Sequence, residues 1–288
     1  MERHRDELAR TVARIAGEVA GRPVDGPDTV LDLDSLGQAE LALALEDVLD
    51  VRLPDDTPLR TPHEAALAVS AAMGTPRSSP PALRPGIGHL QWLSEAALRP
   101  VLDRAYRFRV RGRDRVPREG PVVLASNHDS LLDIPFLAMA APRRVWFMAK
   151  HELYRRPFSS WFFHALGGFP VRRGQADLAA VRAALAVIDA GMALGMFPED
   201  TRSHDFLPFL PGAAWMALVT GAPLVPVAVR GTAEAMPRGS ATPRRSRVTV
   251  AFGRPMALGR ERDPRRRLER ARKATETLRA EVESLLRS

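Results

Sequence analysis

Val122-Val123-Leu124-Ala125-Ser126-Asn127-His128-Asp129-Ser130-Leu131-Leu132-Asp133 is the stretch on which the reading of this chain turns. Its apolar first third predicts a strand, and the pattern that leaves Asp133 predicts a helix. His128 and Asp133 therefore fall at a strand exit, where open α/β sheets place their chemistry. Histidine is the side chain suited to act as a base near neutral pH. Asp133 can fix its tautomer if Ser130 caps the following helix and the carboxylate reaches back from the first turn. Ser130-x-x-Asp133 is also a plain capping-box pattern. A histidine and an aspartate five apart are weak evidence alone, so the surrounding sequence has to decide.

Outward from this stretch, strand-like and helix-like runs alternate through residues 87–288. Strands are expected at 122–125, 145–148, 194–197, 224–229 and 248–252. Helices are expected at 134–140, 157–166, 177–190, 213–220 and 263–286, with Asp263-Pro264 opening the last one. Between residues 107 and 118 lies a charged stretch with no element assigned. Such alternation predicts an α/β domain on one mixed, mostly parallel sheet. No internal repeat is visible.

Residues 1–75 read differently. Leu8, Val12, Ile15 and Val19 recur at helical spacing. A second helix runs from Leu33-Asp34-Ser35-Leu36 to about Leu49, with Leu36, Leu41, Leu45 and Val48 toward a core and Glu40, Glu46, Asp47 and Asp50 outward. Thr61-Pro62-His63-Glu64 reads as a capping box opening a third helix. This is a small helical bundle. Residues 76–86, with prolines at 76, 80, 81 and 85, form a semi-stiff linker of roughly 3 Å reach per residue where extended. The fold class is thus a helical bundle followed by an α/β domain, α+α/β.

Composition narrows the function. Hydrophobic residues make up 45% of the 288 positions, enough for buried cores. There is no cysteine, which removes disulfides, thiolate metal ligands and cysteine nucleophiles, and no metal site is expected. The net charge of +8 divides into −8 over residues 1–75 and +16 over 76–288. The scattered arginines accompany no nucleic-acid motif, so an anionic lipid surface or an acidic partner is expected instead of nucleic acid. Neither a signal peptide nor a run of 18 apolar residues is seen, so the expected setting is cytoplasmic, with a peripheral position on the inner face of the plasma membrane. Phe158, Trp161, Phe162, Phe163, Leu166 and Phe169, near Arg155 and Arg156, suit an interfacial anchor, and equally an acyl tunnel.

Two resemblances sharpen these readings. Leu33-Asp34-Ser35-Leu36, then Glu40 to Asp47, then Val51-Arg52-Leu53-Pro54 resemble an acyl carrier protein in motif and helix order. On residues alone, Asp34-Ser35 is as well read as a helix cap, with Gln38 completing a capping box. The resemblance implies that Ser35 carries 4′-phosphopantetheine, added by a phosphopantetheinyl transferase. A phosphate at a helix N-terminus meets unpaired N–H groups there. Gly37 departs from the residues usual in that turn and is expected to loosen it. Secondly, Asn127-His128 with Asp133, Gly168-Phe169-Pro170-Val171-Arg172-Arg173, Phe197-Pro198-Glu199-Asp200-Thr201-Arg202-Ser203 and Val225-Pro226-Val227, in that order, resemble the glycerolipid acyltransferases of the lysophosphatidate type. The resemblance implies acyl transfer, with His128 and Asp133 catalytic, and with Arg173, Glu199, Thr201 and Arg202 on the acceptor's phosphate and glycerol.

Together these give an acyltransferase moving an acyl group from a phosphopantetheine thioester to a lysolipid-type acceptor in phospholipid or related lipid biosynthesis. The thioester is that of its own carrier, a separate carrier or coenzyme A. Acylation of a specialised, polyketide-like metabolite and a non-catalytic carrier scaffold are the alternatives. Ser130 as a nucleophile is an open alternative, one that no Gly-x-Ser-x-Gly elbow supports. Asp200 stands where the acyltransferases have glycine, and Leu210 where they have lysine. Both changes predict an acceptor less negatively charged than lysophosphatidate.

Overall fold

The computed structural model describes residues 2–55, 57–73, 100, 102–150, 154–155, 160, 167–171, 177–199, 201, 206–237, 240 and 242–288. The linker at 76–86, most of the expected helix at 157–166 and most of the aromatic cluster lie outside them. The chain divides into two units. One comprises Met1–Ala82, Arg172–Ala183 and Glu261–Glu269. The other comprises Leu83–Val171, Ala184–Arg260 and Arg270–Ser288.

Among the described residues the first unit holds α1 (Glu2–Ala20), α2 (Ser35–Leu49), α3 (Pro62–Ala72) and the leading residues, 178–183 and 264–269, of two later helices. Val12, Ile15, Val19, Leu41, Leu45 and Val69 form its core. Thr61 caps α3, its hydroxyl accepting from the Glu64 N–H, while the Glu64 carboxylate accepts from the Arg60 N–H. α2 is capped by Asp34, whose carboxylate accepts from the Gly37 N–H at 2.7 Å. Ser35 is thereby released from capping. Gly37 is buried, and a methyl there would lie 3.2 Å from the Leu33 side chain. The position is closely packed, so a larger residue there needs the Leu33 side chain to shift by a few tenths of an ångström.

The acidic face of α2 is a second correction. Glu40 and Glu46 are buried and Val48 is exposed, the reverse of what apolar periodicity predicts. Arginines from segments remote in sequence explain it. Within the same unit, Arg182 pairs with Glu46 and Asp55 and donates to the Leu53 carbonyl at 2.8 Å, and Arg267 pairs with Glu40 at 3.1 Å. Removing one partner of a buried pair strands the other charge. Arg182→Ala should therefore lower the stability of this unit by about 3–5 kcal/mol in denaturant unfolding, and Arg182→Met with Glu46→Met should recover most of it.

The second unit is built on a seven-stranded sheet, ordered β1-β7-β6-β2-β5-β3-β4 among the described residues. The strands are β1 (Arg109–Arg111), β2 (Val122–Ser126), β3 (Val145–Lys150), β4 (Gly168–Val171), β5 (Ala193–Met196), β6 (Leu224–Arg230) and β7 (Thr249–Phe252). All pairings are parallel except β6 with β7. Five strands lie where the apolar runs predict them. The two that sequence patterning misses are the edges: β1 alternates arginines, and β4 is short and carries glycine and proline, both common ways of blunting an edge.

Later in the chain come helices α4 (Asp133–Ala140), α5 (Leu178–Asp189), α6 (Gly212–Thr220), α7 (Thr232–Ala235) and α8 (Pro264–Arg287), and residues 102–106 are also helical. Ile134, Phe136 and Leu137 of α4 pack on Val122, Leu124, Val225, Val227, Val250 and Phe252 of the sheet. The interior strand β2 reads as four consecutive apolar residues because it is buried on both faces. β5, β2 and β6 end side by side, and that junction positions the site.

Candidate active site

His128 lies just beyond β2 and is 5% exposed; Asp133 opens α4 and is fully buried. Their side chains meet, His128 Nδ1 to Asp133 Oδ2 at 2.9 Å. The same Oδ2 accepts from the N–H groups of Asp129 and Ser130, each at 2.8 Å. Oδ1 accepts from the Thr232 hydroxyl at 2.5 Å. A carboxylate facing only donors is an ionised acceptor, so the proton of the neutral imidazole belongs on Nδ1, donated to Asp133. Nε2 is then left as the basic nitrogen.

The local turn differs from the expected one. Ser130 does not cap α4; its hydroxyl donates to the Met236 carbonyl at 3.0 Å. Asp133 itself reaches back to close the turn. Ser130 is 1% exposed and occupied in this bond, which argues against a nucleophilic role. Asn127 clamps β2 to β6, its side-chain amide donating to the Val229 carbonyl at 2.9 Å and accepting from the Val229 N–H at 2.8 Å. The His128 ring stacks on Phe197, centroids 4.3 Å apart, so its plane is held from one side.

Glu199, after β5, is 4% exposed. One of its oxygens accepts from the His128 N–H at 2.9 Å and the other from the Leu207 N–H at 3.0 Å. Both oxygens are thus used on backbone donors, which makes Glu199 a positioning residue for the histidine loop. Burial raises its pKa above the ordinary carboxylate value. Thr201 is exposed on the same loop, its N–H donating to the Glu199 carbonyl. Arg279 of α8 donates to the Phe206 carbonyl at 3.1 Å and lies over the Phe206 ring, bracing the loop's far end. Arg173, Asp200 and Arg202 lie outside the described residues. Leu210 is exposed.

Sequence reasoning missed Phe197, Thr232, Asn127's clamp and Asp129. Asp129 is half-buried among acids, and burial first, then Asp133, Glu199 and Glu234, push its pKa up to about 7. A carboxyl with a raised folded-state pKa binds its proton more tightly folded than unfolded. Stability therefore falls as pH rises from about 4 to about 7. Asp129→Asn should abolish that part of the slope and raise stability at pH 8 by about 1–2 kcal/mol, read from urea midpoints at pH 5 and pH 8.

Ser35 stands first in α2, in the other unit. It is exposed, and its hydroxyl makes no hydrogen bond to any described residue. No group of three or more histidine, aspartate or glutamate side chains able to hold a metal occurs among the described residues.

The geometry sets a buried histidine–aspartate pair at a sheet's carboxyl end, and the comparisons give the fold its relatives. Residues 107–230 match the family model Acyltransferase. Over that stretch the chain is similar to acyltransferases, and its relatives are named 1-acyl-sn-glycerol-3-phosphate acyltransferases. Among its relatives is the 1-acyl-sn-glycerol-3-phosphate acyltransferase of Bacillus subtilis (strain 168), 26% identical over 161 residues that cover 56% of this chain and 79% of that protein. The chloroplastic enzyme BAT2 of Brassica napus is 31% identical over 140 residues, covering 47% of this chain and 40% of that protein. The chain thus spans less than half the length of the plant relative. The crystal structure of the LPA acyltransferase PlsC from Thermotoga maritima superposes with a TM-score of 0.52 at 27% identity, covering 67% of this chain and 81% of that one.

Proposed function

We propose that the protein transfers an acyl group from a phosphopantetheine thioester to the free hydroxyl of a lysolipid-type acceptor, in phospholipid or related lipid biosynthesis. The observation that carries this reading is the His128–Asp133 pair, with Asp133 saturated by donors and Nε2 left as the base. The acceptor's hydroxyl gives its proton to Nε2 as its oxygen attacks the thioester carbonyl. Asp133 stabilises the imidazolium that forms. The tetrahedral intermediate then collapses with loss of the thiolate, a leaving group of pKa about 8.5 that needs little help from an acid. The proton on Nε2 passes to that thiolate or to solvent, and the ester is released. No acyl-enzyme intermediate is required.

The donor we propose is the acyl group on 4′-phosphopantetheine at Ser35. The support is its exposed, uncommitted hydroxyl at the start of α2, where helix N–H groups and the dipole favour a phosphodiester. Coenzyme A and a separate carrier supply the same thioester chemistry. Arg173, Thr201 and Arg202 are proposed contacts to the acceptor, with Glu199 setting the loop. No described helix is long and apolar enough to cross a membrane; the proposed setting is the membrane surface where a lysolipid resides.

Two measurements test this. Co-expression with a phosphopantetheinyl transferase should add one phosphopantetheine to the intact mass of wild type and none to Ser35→Ala; an unmodified wild-type mass removes the carrier assignment. Thiol release from acyl-coenzyme A should depend on added lysolipid. Release without an acceptor, or none with any lysolipid, overturns the transferase reading. The intact dyad argues against a purely scaffolding role.

A further inference from the structure

On the face of the sheet opposite α4, a cavity of about 390 Å³ opens at the β1-β7-β6 edge. Strand register explains its lining. Arg109 of β1 and Arg230 of β6 both pair with Thr249 of β7, so three strands set two guanidinium groups on either side of one hydroxyl. One step along, Arg111, Ala251 and Ala228 form the next row, and the two alanines leave the floor open. Arg247 closes the rim, and Glu234 is the one carboxylate side chain in the lining. Arg111 donates to the Ser288 carbonyl oxygen at 2.9 Å. Arg109, Arg230 and Arg247 have no ion pair or hydrogen-bonded partner for their side chains among the described residues.

Three uncommitted cations on one concave face repel one another unless an anion joins them. Arg109 and Arg230 are two strand spacings apart, roughly 10 Å at the backbone. Guanidinium groups on side chains of this length can close that distance around one phosphate, each as a bidentate pair. The volume is that of a small-ligand pocket rather than a shallow surface dip.

The cavity lies on the other face of the sheet from α4 but shares β6 with the scaffold of the dyad. Val229, clamped by Asn127, lies between Ala228 and Arg230, and Thr232, which holds Asp133, follows Gly231 of the lining. Gly231 is at φ 85°, with the Arg247 carbonyl only 1.9 Å from where a Cβ would stand, so cavity rim and catalytic strand end are packed as one piece.

We infer that this cavity is a subsite for a phosphate ester, taking the phosphoryl group of a glycerolipid while its reacting end meets His128. The inference rests on the proposed acyl-transfer reading for the second half of that statement. It also reverses an expectation: Asp200 and Leu210 remove positive charge from the loop after β5, but Arg109, Arg230 and Arg247 supply it from β1, β6 and β7. The phosphate has two available sources, the lysolipid acceptor and the anionic phospholipid of the membrane.

The experiment uses the full chain with sn-glycerol 3-phosphate as a calorimetric probe. Wild type and His128→Ala should bind it equally, and Arg230→Gln/Arg247→Gln at least tenfold more weakly, with Arg230→Lys/Arg247→Lys intermediate. With lysophosphatidate as acceptor, the Gln pair should raise KM at least tenfold with a smaller change in kcat, and reduce its kcat/KM advantage over monoacylglycerol by a similar factor. If acceptor KM holds but sedimentation with phosphatidylglycerol vesicles is lost, the source of the phosphate is the membrane. If probe binding, acceptor KM and vesicle binding all match wild type, the subsite does not exist. Should wild type transfer to no acceptor, the acyl-transfer reading fails while the probe titration still decides the subsite.

Discussion

His128→Ala is expected to cut acyl transfer to a lysolipid by about 10²–10⁴-fold, the usual contribution of a positioned general base. Thioester hydrolysis, acceptor KM and thermal stability should move far less. The asymmetry follows from the geometry. The imidazole is held by Asp133 on Nδ1 and by Phe197 on its face, so it is placed to work through Nε2. Truncation removes the proton acceptor and opens a small cavity beside Phe197, while the turn survives because Asp133 still accepts from Asp129, Ser130 and Thr232. Initial rates at saturating lysolipid check the prediction. A loss smaller than tenfold means that His128 is not the base.

Asp133→Asn should be as damaging to rate and worse for the fold. An amide in place of the carboxylate presents two N–H donors to groups that are themselves donors: the Nδ1 proton, two backbone N–H groups and the Thr232 hydroxyl. Whichever way the amide turns, at least one buried donor loses its acceptor, at about 1–3 kcal/mol each. The tautomer preference is also weakened, since a neutral amide carbonyl at the Oδ2 position is a poorer acceptor than a carboxylate, and an amide turned the other way would donate to Nδ1. A change of this type in a comparable His–carboxylate pair lowers kcat by about 10⁴. The expected result is a folded, destabilised protein with transfer reduced by about 10³–10⁴-fold. Urea midpoints separate the two effects. An Asn variant as stable as wild type and equally inactive would show that charge alone, and not the donor geometry, is at stake.

Some of this was legible in the chain itself. β2 and β6 are continuous apolar runs because they are interior strands, and Asp34, Thr61 and Asp263 announce helix starts through side-chain chemistry that acts within three residues. The His128–Asp133 pairing is also local, five residues apart. What could not be read depends on distance along the chain. Glu199 grips the His128 N–H from 71 residues away, and Thr232 reaches Asp133 from 99 away. Glu199 looks like a substrate ligand from its motif, and its grip on the His128 and Leu207 N–H groups is a further role that the motif does not announce. Glu40 and Glu46 look solvated because periodicity cannot see Arg267 and Arg182 arriving 227 and 136 residues later. The arginine cavity is likewise invisible, being created by strand register between β1, β7 and β6.

The central claim is direct transfer from a carrier-bound thioester to a lipid hydroxyl with His128 as base. Its most direct test is a quench-flow experiment on full-length protein carrying a radiolabelled acyl chain on Ser35-bound phosphopantetheine. On mixing wild type with lysophosphatidate, label should pass from protein to lipid in one phase, with no label appearing elsewhere on the chain, while His128→Ala keeps its label over the same interval. Label leaving the His128→Ala protein at the wild-type rate, or a second labelled site on the wild-type chain before lipid appears, would contradict the account.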